Sequence, residues 1–142
     1  MSWCGVKELP ESFKRLGNLL HLELAGSCIE KGLPGALRGL TALQYLDMSS
    51  RMRVENLEKD DLPDAMRNLT NLKVLNLSDC LERYFDVKKN YGYLDFIGSL
   101  INLERLHLSK NNMLGYLTES IGDLKRLDTL NLGYCSSLKS LP

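Results

Sequence analysis

One spacing recurs five times along this chain. It appears as Leu19-Leu-His-Leu22-Glu-Leu24, Leu43-Gln-Tyr-Leu46-Asp-Met48, Leu72-Lys-Val-Leu75-Asn-Leu77, Leu103-Glu-Arg-Leu106-His-Leu108 and Leu127-Asp-Thr-Leu130-Asn-Leu132. The fourth copy runs on through Ser109-Lys-Asn111, giving Leu-x-x-Leu-x-Leu-x-x-Asn. Self-similarity of this kind marks a repeat architecture. The alternation Leu106-His-Leu108 has the period of two expected of a strand, leucine on one side and polar residues on the other. A single strand of this kind cannot cover its apolar side, but stacked copies can. The spacing therefore predicts five parallel strands near residues 20–24, 44–48, 73–77, 104–108 and 128–132.

A second half-pattern fills the connections. It reads Leu9-Pro-Glu-Ser-Phe13-Lys-Arg-Leu16, Leu33-Pro-Gly-Ala-Leu37-Arg-Gly-Leu40, Leu62-Pro-Asp-Ala-Met66-Arg-Asn-Leu69 and Leu117-Thr-Glu-Ser-Ile121-Gly-Asp-Leu124. A weaker copy is Tyr93-Leu-Asp-Phe-Ile97-Gly-Ser-Leu100. Apolar residues three and four apart suit a helical turn, and Pro suits its first turn. These units resemble leucine-rich repeats. The resemblance implies an α/β solenoid, a right-handed coil with a parallel sheet on its concave face and short helices or irregular turns on its convex face. The expected domain is 1–142, with a partial repeat over 1–18 and repeats starting near 19, 43, 72, 103 and 127. Neither end carries a polar cap, so the chain reads as a piece of a longer protein or a truncated gene model.

The repeat length is uneven. Leu19 to Leu43 and Leu103 to Leu127 are each 24 residues apart, Leu43 to Leu72 is 29, and Leu72 to Leu103 is 31. The extra residues fall after the second and third strands, within 51–61 and 81–91, not in the Leu-Pro half. Insertions in a solenoid collect on one face, often the binding face. Both inserts are rich in charge and contain Arg51, Arg53, Arg83 and Tyr84, which become candidate contacts.

The exposed positions of stacked strands form columns about 4.8 Å apart. One column is His21, Tyr45, Val74, Arg105 and Thr129; the next is Glu23, Asp47, Asn76, His107 and Asn131. A third is Ala25, Ser49, Ser78, Ser109 and Gly133, and a fourth includes Gly26, Asp79, Lys110 and Tyr134. Free of the leucine constraint, these positions suit recognition of a protein surface. The candidate binding set is His21, Glu23, Tyr45, Asp47, Val74, Asn76, Arg105, His107, Lys110, Thr129, Asn131 and Tyr134, with the four insert residues.

Composition narrows the function further. Eighteen basic residues balance 18 acidic ones. A neutral chain without a basic stripe argues against nucleic acid as partner. No apolar run approaches the roughly 18 residues that cross a bilayer, and no signal-peptide core opens the chain. No Gly-x-x-x-x-Gly-Lys-Ser/Thr loop is present. The only histidines, His21 and His107, lie three strands apart, roughly 14 Å, which is too far for one metal or one dyad. The expectation is a non-enzymatic module without cofactor. Cys80 and Cys135 occupy the Asn111 site, three residues after the last strand leucine, and Cys28 lies one residue beyond it. All are expected to be reduced, structural thiols of a reducing compartment.

The phrases Asn71-Leu-Lys-Val-Leu-Asn-Leu-Ser-Asp-Cys80 and Asp128-Thr-Leu-Asn-Leu-Gly-Tyr-Cys-Ser-Ser-Leu-Lys-Ser-Leu-Pro142 narrow the resemblance. Together with variable repeat length and Cys at the Asn site, they resemble the repeat region of plant intracellular immune receptors, the nucleotide-binding leucine-rich repeat disease-resistance proteins. The resemblance implies a cytoplasmic module that binds a pathogen protein, a host protein or the receptor's own nucleotide-binding domain. A cell-surface receptor ectodomain is the alternative, because Asn111-Asn-Met-Leu-Gly115-Tyr-Leu117 partly matches the extracellular plant pattern. Asn68-Leu-Thr70 and Asn76-Leu-Ser78 are glycosylation sequons. A constitutive intracellular scaffold is the third reading.

Overall fold

The structure, a computed structural model, describes residues 5–49, 61–84 and 92–142, with backbone only at 83 and 84. Five strands form one parallel sheet in chain order: β1 (His21–Glu23), β2 (Tyr45–Asp47), β3 (Val74–Asn76), β4 (Arg105–His107) and β5 (Thr129–Asn131). The register places Leu22, Leu46, Leu75, Leu106 and Leu130 side by side. These are the middle leucines of the five sequence copies. Each strand is three residues long rather than the expected five. The pairing nevertheless reaches past the formal ends, since Gln44 N–H donates to Leu20 O at 2.9 Å and Met48 N–H to Asn76 O at 2.9 Å.

The Leu-Pro segments become short helical turns opposite the sheet. They are α1 (Leu33–Gly39) and α2 (Leu62–Met66), with 3₁₀ turns at Glu11–Arg15, Asp95–Ser99 and Glu119–Asp123. Pro34 and Pro63 sit in the first turns of α1 and α2, where the missing N–H leaves no intrahelical bond unmade. These five segments stack in sequence order, each on the next. Gly39 permits the first of these contacts, because a Cβ there would lie 2.0 Å from the Lys14 carbonyl oxygen. One further helix, α3 (Leu81–Tyr84), follows β3 within the second expected insert. Leu81 is buried in the core while Glu82 is exposed.

The core fills the space between sheet and turns. Leu46, Met48, Leu75, Leu77, Leu106 and Leu108 meet Leu37, Leu40, Met66, Leu69, Phe96, Ile97 and Leu100, all without solvent exposure. Burial fades at β5, where Leu130 keeps 38% of its surface exposed. Tyr93 packs half-buried against this core. Burial, and then the neighbouring Cys135, pushes its phenol up to about 12.

Where the chain turns inward after each strand, backbone groups would be stranded in the interior, and Asn111 meets them. Its Nδ2 donates to Leu77 O at 2.9 Å and Leu108 O at 2.7 Å. Its Oδ1 accepts from Cys80 N–H and Leu81 N–H, both at 3.0 Å. One buried amide thus ties the coil containing β3 to the coil containing β4. Cys135, at the equivalent site one coil on, donates from Sγ to Leu108 O at 3.1 Å. Cys80 and Cys135 are not disulfide-bonded. Cys28 is disulfide-bonded, and neither of those two is its partner. The expectation of reduced thiols therefore fails at Cys28. Its one-residue offset leaves Ser27, not Cys28, at the position equivalent to Asn111.

Candidate protein-binding face

The polar side of the sheet is open, and its exposed columns are ordered by their own hydrogen bonds. The last residue of β2, β3 and β5 closes a local turn. Asp47 Oδ1 accepts from Ser49 N–H at 2.8 Å, Asn76 Oδ1 from Ser78 N–H at 3.0 Å, and Asn131 Oδ1 from Gly133 N–H at 3.0 Å. Asx side chains that bond the backbone two residues on are a known way to end a strand. The following residue in the fourth column is left-handed in each observed case: Gly26 at φ 70°, Asp79 at 57°, Lys110 at 63° and Tyr134 at 60°. Three non-glycine residues thus accept a conformation disfavoured for side-chain-bearing residues.

Asp47 departs most from the sequence expectation. It was expected on the open face, but it is buried. Its carboxylate also accepts from Ser49 Oγ at 2.6 Å, Asn76 Nδ2 at 2.9 Å and Tyr45 OH at 3.5 Å. A carboxylate so committed organises its neighbours and is not free for a partner. Beside it the rings of His21 and Tyr45 stack at 3.9 Å between centroids and 5° between planes. Glu23 is exposed, 4.0 Å from His21 Nε2. The Tyr45 phenol is raised above its ordinary value by burial first, then by the charges of Asp47 and Glu23 and the bond to Asp47.

A shallow depression of about 430 Å³ lies on this face across β2 to β5. It is lined by Tyr45, Val74, Asn76, Ser78, Arg105, His107, Ser109 and Asn131. Six of these belong to the sequence-derived set. Ser78 and Ser109 do not, although Ser109 Oγ donates to Ser78 Oγ at 3.0 Å and forms part of the floor. Their signal was a column of small hydroxyl residues just past the strands. His21, Glu23, Lys110, Thr129 and Tyr134 are on the same face outside this lining. Lys110 and Tyr134 are exposed, and Thr129 is half-buried. Arg51 and Arg53 lie outside the described residues, as do the side chains of Arg83 and Tyr84. The two histidines stay in separate columns, and among the described residues no cluster of three His, Cys, Asp or Glu could hold a metal. Among those residues no helix is long and apolar enough to cross a membrane.

The leucine rich repeat family matches residues 9–50, and a second leucine rich repeat profile matches residues 102–124. The fold is that of a leucine-rich repeat solenoid. Its solved structural relatives carry the same fold. The leucine-rich repeat ectodomain of the Arabidopsis thaliana membrane receptor kinase GASSHO1/SCHENGEN3 aligns at a TM-score of 0.58 with 23% identity, over 99% of this chain and 17% of its own. The leucine-rich repeat domain of the type III effector XopL gives 0.56 with 18% identity, over 96% of this chain and 52% of its own. An internalin from Listeria monocytogenes gives 0.52 with 20% identity, over 94% and 37%. The chain thus spans between about a sixth and a half of the length of these structures. No curated protein sequence matches it.

Proposed function

We propose that the open face of this leucine-rich repeat sheet is a protein-recognition surface. The depression is the observation that carries the reading. Side chains from four strands converge on it, and none of the lining residues is a core leucine. A stable interface needs roughly 800 Å² on each side, an area that a few strands and their bordering loops can supply. Aromatic and Arg residues usually dominate such contacts, which singles out Tyr45 and Arg105. The sequence phrases around Cys80 and Cys135 support the finer reading of a cytoplasmic module in a plant nucleotide-binding immune receptor. There the partner is a pathogen protein, a host protein or the receptor's own nucleotide-binding domain. The test uses the full-length protein with that partner. Tyr45→Ala combined with Arg105→Ala is expected to weaken binding or release autoinhibition by about thirtyfold or more, as for one strong hot spot. The thermal unfolding midpoint should stay close to the parent value. If binding and restraint are both unchanged, the recognition surface lies on the opposite side of the coil.

A second reading, the ectodomain of a cell-surface receptor, is favoured by Cys28. Disulfides persist in oxidising compartments and are rare in the cytosol. Alkylation of the protein from its native tissue, without reductant, separates the two. A Cys28 that resists alkylation until reduced supports the ectodomain and rules against the cytoplasmic module; immediate modification of Cys28 does the reverse.

A further inference from the structure

The open face is divided electrically, and the division selects a partner. On β1 and β2 the exposed charge is Glu23, flanked by buried Asp47 and by the His21–Tyr45 stack. Glu23 meets no Lys or Arg among the described residues; its neighbour is His21 at 4.0 Å. On β4 the charge is reversed. Arg105 is exposed at the wall of the depression, His107 stands beside it, and Lys110 follows in the turn. Neither Arg105 nor Lys110 forms an ion pair with any described residue, whereas Lys7, Arg38 and Arg67 elsewhere are each paired. Between the two poles β3 presents Val74, Asn76 and Ser78 to the depression, with Lys73 before the strand and Asp79 after it, in the same column as Lys110. Glu104 and Asp128, which precede β4 and β5, lie outside the lining.

Resting on the recognition reading above, we propose that the face takes an extended segment of a partner protein that crosses the strands with opposed charges. An acidic side chain of that segment sits over Arg105 and His107, and a basic side chain sits over Glu23 beside the ring stack. The ruler is fixed by the sheet. From β1 to β4 is three strand spacings, roughly 14 Å, and an extended chain advances about 3.3 Å per residue. The acid and the base are therefore about four residues apart in the partner. The ring stack adds a flat aromatic surface next to the basic side chain, a favourable site for a cation. Asp47 keeps the negative pole in place without competing for the partner, since its oxygens are already engaged.

The experiment is a display selection of random peptides of about a dozen residues against the whole chain, followed by titration of the winners. The enriched peptides should carry an acid and a base about four positions apart. Arg105→Glu and Glu23→Lys should each weaken them roughly tenfold or more. Reversing the peptide's acid to a base should restore binding to Arg105→Glu while abolishing it with the parent. Winners sensitive to Tyr45→Ala with Arg105→Ala, yet indifferent to both charge reversals, would overturn the divided-face proposal and leave the recognition face standing. Winners insensitive to every substitution on the face, or no enrichment at all, would overturn both.

Discussion

Replacing Asn111 by Leu is expected to lower the unfolding free energy by about 3 kcal/mol or more, although the two side chains are close in size. The amide serves two donors, Cys80 N–H and Leu81 N–H, and two acceptors, Leu77 O and Leu108 O. Leucine offers none of these bonds. Leu108 O keeps the Cys135 thiol at 3.1 Å, so three backbone groups lose their partner in a buried site. Each orphaned buried group costs about 1–3 kcal/mol. A total stability of about 5–15 kcal/mol makes this a large fraction. Urea denaturation of the parent and Asn111→Leu should show a marked fall in midpoint. Asn111→Cys should fall less, because the same site holds Cys in the neighbouring coils. An unchanged midpoint for Asn111→Leu would mean that the inward turn is satisfied in another way.

Truncating the middle leucine of a central strand should be comparably severe. Leu75 and Leu106 are both fully buried, with coils stacked on either side. Leu75→Ala or Leu106→Ala should each cost about 2–5 kcal/mol, through lost transfer energy and the cavity left behind. Leu130 is the internal control. It holds the same place in the repeat, but its 38% exposure means that less buried surface is lost, so Leu130→Ala should cost clearly less than either. Equal effects at all three positions, measured by chemical denaturation, would contradict the packing described above.

The contrast between Leu106 and Leu130 shows what was legible in the sequence and what was not. The leucine spacing located all five strands, their parallel order and their residue-for-residue alignment, because period and register are written locally. The second half-pattern likewise located the five described helical turns that stack behind the sheet. How deeply each leucine is buried depends on the coil beside it, which the local pattern does not carry. Asp47 was misplaced for a related reason. A polar residue between two apolar ones reads as facing solvent, and only the convergence of Tyr45, Ser49 and Asn76 from two strands buries it. Helix α3 went unread because Leu81-Glu-Arg-Tyr84 is too short to display a period. The open-face columns were legible as neighbours. The opposition of charge between β1 and β4 needed the strand order as well as the residues.

Strand partners are 24 residues apart from His21 to Tyr45, 29 from Tyr45 to Val74, 31 from Val74 to Arg105 and 24 from Arg105 to Thr129, yet the pairing never slips. Length variation is absorbed wholly outside the sheet. Insertion and substitution are consequently independent ways of altering such a protein. Residues added between Met48 and Leu62 leave the spacing of Tyr45, Val74 and Arg105 untouched. Exchanging any of those three rewrites the pattern presented to a partner without disturbing the scaffold. A library that varies loop length and face chemistry together should therefore yield folded members in close to the proportion expected from varying each alone.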